Sequence, residues 1–254
     1  MIRVAAVGDI HYDSNTRDHL GPQFRGLGEH ADLLLIAGDL TQSGTADEAK
    51  ALAEDLRACP IPVVAVLGNH DYHSGQEAKI RSILEAVSVN VLEGAACCFD
   101  VRGHRVGVAG LKGFGGGFFG ACCTEFGEAE MKQFARHAKD QAEILKKTLE
   151  DIRDVPYRFV LLHFSPVEET LLGERREIYP FLGSYLLAEA IDSVGADGVF
   201  HGHAHKGSER GVTPGGVPVR NVALHVIRHA YHVYTFEKGE RGVTFQTSEV
   251  ERTS

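Results

Sequence analysis

The sequence has no apolar run of the length that crosses a bilayer, no cluster of Lys and Arg, and no C-x-x-C pair. Each absence removes a class of function. A spanning helix needs about 20 apolar residues, so no membrane partner is expected. No leader pattern precedes the first strand-like run, and the expected setting is the cytoplasm. With 26 Lys and Arg against 35 Asp and Glu, the formal charge is −9. Nucleic acid backbones are bound through clustered cations, so that partner is disfavoured. The five cysteines are Cys59, Cys97, Cys98, Cys122 and Cys123. Their odd number and spacing indicate neither a disulfide framework nor a zinc knuckle. Cys97 and Cys98 read as small hydrophobes on a short strand. There is no linker, repeat or low-complexity tract, and 254 residues with 43% hydrophobic content suffice for one large core. Residues 1–254 are therefore expected to form a single domain, and no feature sets its oligomeric state.

What is present is a recurring construction. Apolar runs at 4–7, 33–37 and 62–66 end at Gly8, Gly38 and, after Leu67, Gly68, and each then delivers a polar residue: Asp9, Asp39, Asn69. His11 and His70 follow closely. Later runs end in His163 and in His201-Gly202-His203-Ala204-His205. In open α/β sheets, ligands bind outside the carboxyl ends of the strands. The side chains gathered there are carboxylate, amide and imidazole, which suit first-row divalent ions, and there are more of them than one ion needs. Two ions sharing a carboxylate is the economical reading. Asp39 is the expected bridge, because its strand is the middle one of three.

Between these runs the pattern is helical at 45–56 and at 77–87, where Ser74 and Glu77 suggest a capping box. Residues 12–30 read as an irregular loop with one short helix, a candidate cleft wall. A hairpin is expected around Arg102-Gly103-His104. The glycine-rich stretch 112–120, with three aromatics, reads equally as a flexible connection and as a substrate-contact loop or lid. A long helix is expected within 128–153, and a further single helix between Pro180 and Gly195. Segments 217–223, 230–236 and 242–249 suggest antiparallel strands closing a second sheet. His201, His225, His229 and His232 read as structural or solvent-facing, while His73 and His104 read either as lining the cleft or as sitting on loops.

Asp9-x-His11, Gly38-Asp39, Gly68-Asn69-His70-Asp71, His163 and Gly202-His203-Ala204-His205 occur in the order of the calcineurin-like metallophosphoesterase superfamily, which the chain resembles from near its N-terminus to about residue 205. The resemblance implies an α/β fold in which two mixed β-sheets pack as a sandwich flanked by helices, in four layers α/β/β/α. It implies two divalent or mixed-valence ions (Mn, Fe or Zn), one held by Asp9, His11, Asp39 and His205, the other by Asp39, Asn69, His163 and His203. His70 would stay off the ions and serve the leaving group as a proton donor. The implied reaction is hydrolysis of a small phosphorylated substrate, a phosphodiester first, by attack of a metal-bridging hydroxide. Phosphomonoesterase, nuclease and non-catalytic scaffold are the alternatives. Gln42-Ser43 stand where protein Ser/Thr phosphatases carry an Asp-Arg pair, so that subgroup is disfavoured and the acid that would orient the catalytic imidazole is missing. The motif pattern looks most like the class III cyclic-nucleotide phosphodiesterases. Asp71 has no assigned role at this stage.

Overall fold

The computed structural model describes residues 1–13, 17–239 and 242–248. Taken in order, β1 (Ile2–Val7) leads to α1 (Arg17–Arg25) and α2 (Leu27–His30), then to β2 (Leu33–Ala37) and α3 (Ala46–Leu56). There follow β3 (Val63–Val66), α4 (Glu77–Glu85) and β4 (Val89–Val91), then the hairpin of β5 (Ala95–Val101) and β6 (His104–Gly110). A small hairpin, β7 (Gly117–Phe118) and β8 (Ala121–Cys122), precedes the long α5 (Ala129–Glu150) and β9 (Tyr157–Leu161). The chain continues through α6 (Tyr179–Leu182), α7 (Tyr185–Val194), β10 (Gly198–His201), β11 (Arg210–Val212) and β12 (Pro218–Asn221). Last come α8 (Leu224–Ile227), β13 (His232–Gly239) and β14 (Gly242–Ser248).

Two six-stranded mixed sheets form, ordered β14-β13-β1-β2-β3-β4 and β11-β12-β10-β9-β6-β5. Alternation along the strands explains why they face each other. On β1, Val4 and Ala6 join Leu35, Val66, Val108, Phe159 and Phe200 in the layer between the sheets. Ala5 and Val7 point the other way, toward Phe24, Leu52 and Ile80 of the helices on the first sheet. Leu145 and Leu149 of α5 and Leu187 and Ile191 of α7 cover the second sheet over Val160 and Leu162. The result is the expected four-layer α/β/β/α sandwich, with strands apolar on both faces because both are covered.

Several local expectations are corrected. Residues 17–30 are helical, since Leu20, Phe24 and Leu27 supply a buried face against α3. Ser74 caps nothing: α4 starts two residues beyond its reach, and its hydroxyl donates to Ser43 O at 2.6 Å. The capping box is at Thr45 and Glu48, on α3. The single helix expected after Pro180 is two, because the chain breaks at Gly183, where Leu182 O accepts from Ser165 N–H and Ser184 N–H donates to Ser165 O, and restarts with Ser184 as the N-cap of α7. The C-terminal segments do not close one sheet. β12 pairs parallel to β10 in the second sheet, whereas β13 and β14 return antiparallel beside β1 in the first; Glu249 lies outside the described residues. The hairpin at 102–104 forms as expected, with Arg102 and Gly103 both at positive φ, the twist a two-residue turn requires.

Residues 112–118 of the glycine-rich stretch are packed rather than loose, whereas Phe119 and Gly120 are exposed. Gly115 and Gly116 lie against Pro180 and Ser184, and Phe118 is buried beside Tyr179. Gly115, Gly116 and Gly117 serve this close approach, since a Cβ on any of them would clash with a neighbouring segment.

Candidate metal centre

The carboxyl ends of β1, β2, β3, β9 and β10 converge on one edge of the sandwich, and their loops are laced by backbone bonds: Asp9 N–H to Gly38 O, His11 N–H to Asp39 O, Gly202 N–H to His163 O. Asp9, His11, Asp39 and His203 all adopt left-handed backbone, at φ of 53°, 44°, 47° and 71°. For non-glycine residues that conformation is strained, and such strain gathers at functional sites. The neighbouring glycines make room. A Cβ on Gly202 would fall on Asp9 Oδ2, and one on Gly68 on Asp39 Oδ1. Gly202→Ala should therefore displace the Asp9 carboxylate, destabilise the protein by about 1–3 kcal/mol through overpacking, and weaken ion uptake. Thermal unfolding with and without chelator reads both effects; an unshifted midpoint would contradict the steric argument.

One atom each from Asp9, His11, Asp39 and His205 lie within 4.8 Å of one another, and so do those of Asp39, His163 and His203. Asp39 belongs to both groups. Asn69 joins the second, its Oδ1 2.9 Å from His163 Nε2.

Do these residues fit cations? His163 Nδ1 can only donate to Ala37 O, 2.9 Å away. Burial pushes the ring's pKa down to about 3, so it is neutral and Nε2 carries a lone pair. That lone pair faces an amide oxygen, another acceptor, at 2.9 Å. Two acceptors so placed are mutually unfavourable and suit a shared cation. Buried His11 Nδ1 has no hydrogen-bond partner among the described residues, and its pKa is lowered to about 4 by burial. His203 gives its Nε2–H to Phe181 O at 3.1 Å, leaving Nδ1 as acceptor; burial, then the neighbouring His163, takes its pKa down to about 3. Asp9 is raised to about 6, first by burial and also by Asp39. His205, 2.9 Å from Asp9 Oδ1, is raised by that bond. The neutral imidazoles of His11, His163 and His203, with buried carboxylates that repel one another, are the donor set hard or borderline divalent ions take. The residues fit.

His70 stands beside these groups. Its ring meets His11 edge-on with centroids 4.4 Å apart. Its backbone N–H donates to Asp39 Oδ1 at 2.8 Å, and its Nδ1–H to Gln42 O at 2.7 Å. The missing acid is thus replaced by a backbone carbonyl, and Nε2 is the nitrogen free to face a ligand. Gln42, Ser43, Asn69, His70 and His73 line a cleft of about 270 Å³.

Asp71 does not touch His70. It is fully buried, and its carboxylate collects Leu40 N–H, Thr41 N–H, the Thr41 hydroxyl and Gly68 N–H at 2.6–3.1 Å. It ties the Asp39 loop to the Asn69 loop, so its role is to position both. Burial raises its pKa to about 6 despite those bonds.

Among the other histidines, His201 bonds Gly202 O and Thr170 within the core, in line with its structural reading. His104 opens β6 and packs on Tyr157, neither on a loop nor in the cleft, whereas His73 lines the cleft. His225 is exposed, in line with its reading, and also has a contact that the reading did not include. It stacks on His205, centroids 4.5 Å apart and planes within 10°. It comes from α8, whose short sequence carried no signal of this.

Residues 2–207 match the calcineurin-like phosphoesterase family, and the chain belongs to that family. It is thus a phosphoester hydrolase of a family that works with a dinuclear metal centre. No curated protein sequence matches it significantly. Among solved structures, phosphopantetheinyl hydrolase from Mycobacterium tuberculosis is similar over 89% of this chain and 90% of its own, at 17% identity and a TM-score of 0.64. A putative 5'-nucleotidase from Staphylococcus aureus is similar over 97% of this chain and 53% of its own, at 16% identity and a TM-score of 0.62. These likenesses are of fold. No described helix is long and apolar enough to cross a membrane.

Proposed function

We propose that the chain hydrolyses a small phosphodiester at a two-ion centre, one ion held by Asp9, His11, Asp39 and His205, the other by Asp39, Asn69, His163 and His203. The observation that carries this reading is the pair of donor groups meeting at Asp39. When bound, ions of the Mn, Fe or Zn kind supply Lewis-acid polarisation of the phosphoryl oxygens and activate water as the nucleophile. The chain's own residues do the rest. Ala37 O and Phe181 O hold the imidazoles of His163 and His203 in one tautomer, so that each presents a lone pair inward. Asp71 keeps the Asp39 and Asn69 loops in register. His70, anchored through Nδ1–H, is oriented to deliver a proton from Nε2 to the departing oxygen. The cleft of about 270 Å³ beside it takes the alcohol portion of the ester, and its polar lining favours a small, hydroxylated group.

The same reading takes residues 1–254 as one functional domain, supported by the return of β13 and β14 to pair beside β1, and sets it in the cytoplasm, supported by the free state of all five cysteines. The test is a substrate panel. Protein loaded with manganese should cleave an aryl phosphodiester faster than the matching monoester, and chelator should abolish both activities. Protein that binds two ions per chain and cleaves neither ester would overturn the reading.

A further inference from the structure

Lys112, the first residue of the glycine-rich stretch, is built into the candidate centre. Its carbonyl accepts the N–H groups of both His163 and Phe164 at 3.0 Å, so its backbone is fixed against a candidate ligand. Its ammonium lies 5.0 Å from the ring centroid of Tyr72, 5.6 Å from Phe114 and 5.3 Å from Phe164. Tyr72 follows Asn69 by three positions and Phe164 follows His163 directly. The cation is therefore held between the two loops that bring Asn69 and His163 together.

No carboxylate forms an ion pair with Lys112 among the described residues. The nearby acid, Glu93, accepts from Tyr72 OH at 3.0 Å and from Leu67 N–H at 3.3 Å and acts on Lys112 only through space. A partly buried cation without a carboxylate in contact is costly to maintain. Aromatic faces offset part of that cost, by about 0.5–2 kcal/mol, while leaving the N–H donors unclaimed. Burial lowers the pKa of Lys112, opposed by Glu93 and by Asp39.

We propose that Lys112 is a substrate-binding residue whose ammonium takes a phosphoryl oxygen of the ester, and of the phosphate product, beside the Asn69–His163 pair. This rests on the phosphoesterase reading above and adds to it a third cationic contact, supplied by the chain itself. Such a contact favours phosphate groups carrying the most negative charge, so the doubly charged group of a phosphomonoester or of free phosphate depends on it more than the singly charged diester does.

The experiment uses the full chain loaded with manganese, comparing the parent with Lys112→Met and Lys112→Arg; Lys112→Gln takes the place of the methionine variant if that one does not fold. Inorganic phosphate is titrated calorimetrically, ions per chain are measured, and kcat/KM is taken on an aryl monoester and diester. Lys112→Met should keep both ions while its phosphate dissociation constant rises about 10- to 100-fold, the effect of losing one hydrogen bond to a charged group. Its loss of kcat/KM should be larger on the monoester, and Lys112→Arg should lie within a few-fold of the parent. Phosphate affinity unchanged in the methionine variant, or a parent that binds ions but no phosphate, would overturn the role of Lys112. A parent that binds phosphate and cleaves no ester would overturn the phosphoesterase reading alone, because the calorimetric comparison is independent of turnover.

Discussion

Asp39→Asn leaves the metal-free protein folded and at least as stable as its parent, while removing both ions and at least about 10³-fold of kcat/KM. The two halves of this expected result have separate causes. Asn keeps an oxygen for the His70 N–H that Asp39 Oδ1 now accepts at 2.8 Å, so the loop loses no hydrogen bond. It also removes one of two buried carboxylates that repel each other, an influence visible in the raised pKa of Asp9. Relief of that repulsion contributes on the order of 1 kcal/mol to the metal-free fold. Function moves the other way. Asp39 is the residue common to both donor groups, and a neutral amide attracts a divalent cation far less than a carboxylate does. Without the ions, several kcal/mol of transition-state stabilisation is lost, and each 1.36 kcal/mol corresponds to about tenfold in rate. Unfolding in chelator, metal content and kcat/KM measure the three consequences. Retention of two ions by the variant would remove Asp39 from its bridging position.

His70→Ala should lower kcat by about 10²–10³-fold, the range of a positioned proton donor, with both ions still bound. The slowing should grow as the leaving alcohol becomes more basic and shrink for aryl leaving groups that depart without protonation. The geometry behind this is the Nδ1–H bond to Gln42 O, which turns Nε2 outward, and the ring's edge-on approach to His11 without membership of either donor group. Loss of metal from the alanine variant would show that His70 is a ligand, and an effect independent of the leaving group would remove the proton-donor role. Asp71 is not its orienting partner, although it is next in sequence, because all its acceptor capacity goes to the Leu40, Thr41 and Gly68 donors.

Some features were legible in the sequence because they are local. A run such as 33–37 followed by Gly38-Asp39 reports a buried strand, its end and the polar group it delivers, all within a few residues. The α5 face and the 102–104 hairpin are readable for the same reason. The C-terminal strands were not: alternation says that 230–236 buries one face, but either sheet satisfies it, and only pairing of Tyr234 with Val4, far along the chain, assigns it.

By itself, the sequence determined that apolar strands end in imidazole, amide and carboxylate groups, and that they are too many for one ion. The tertiary structure decided what those groups face. Three orienting partners, Gln42 O for His70, Ala37 O for His163 and Phe181 O for His203, are backbone carbonyls. Every residue type carries the same carbonyl, so no sequence can mark one as special; it becomes a partner only when folding brings it within about 3 Å of a ring nitrogen. Lys112 and His225 follow the same logic, since a cation among three rings or an imidazole stacked on another depends on distances that close only once distant segments have packed.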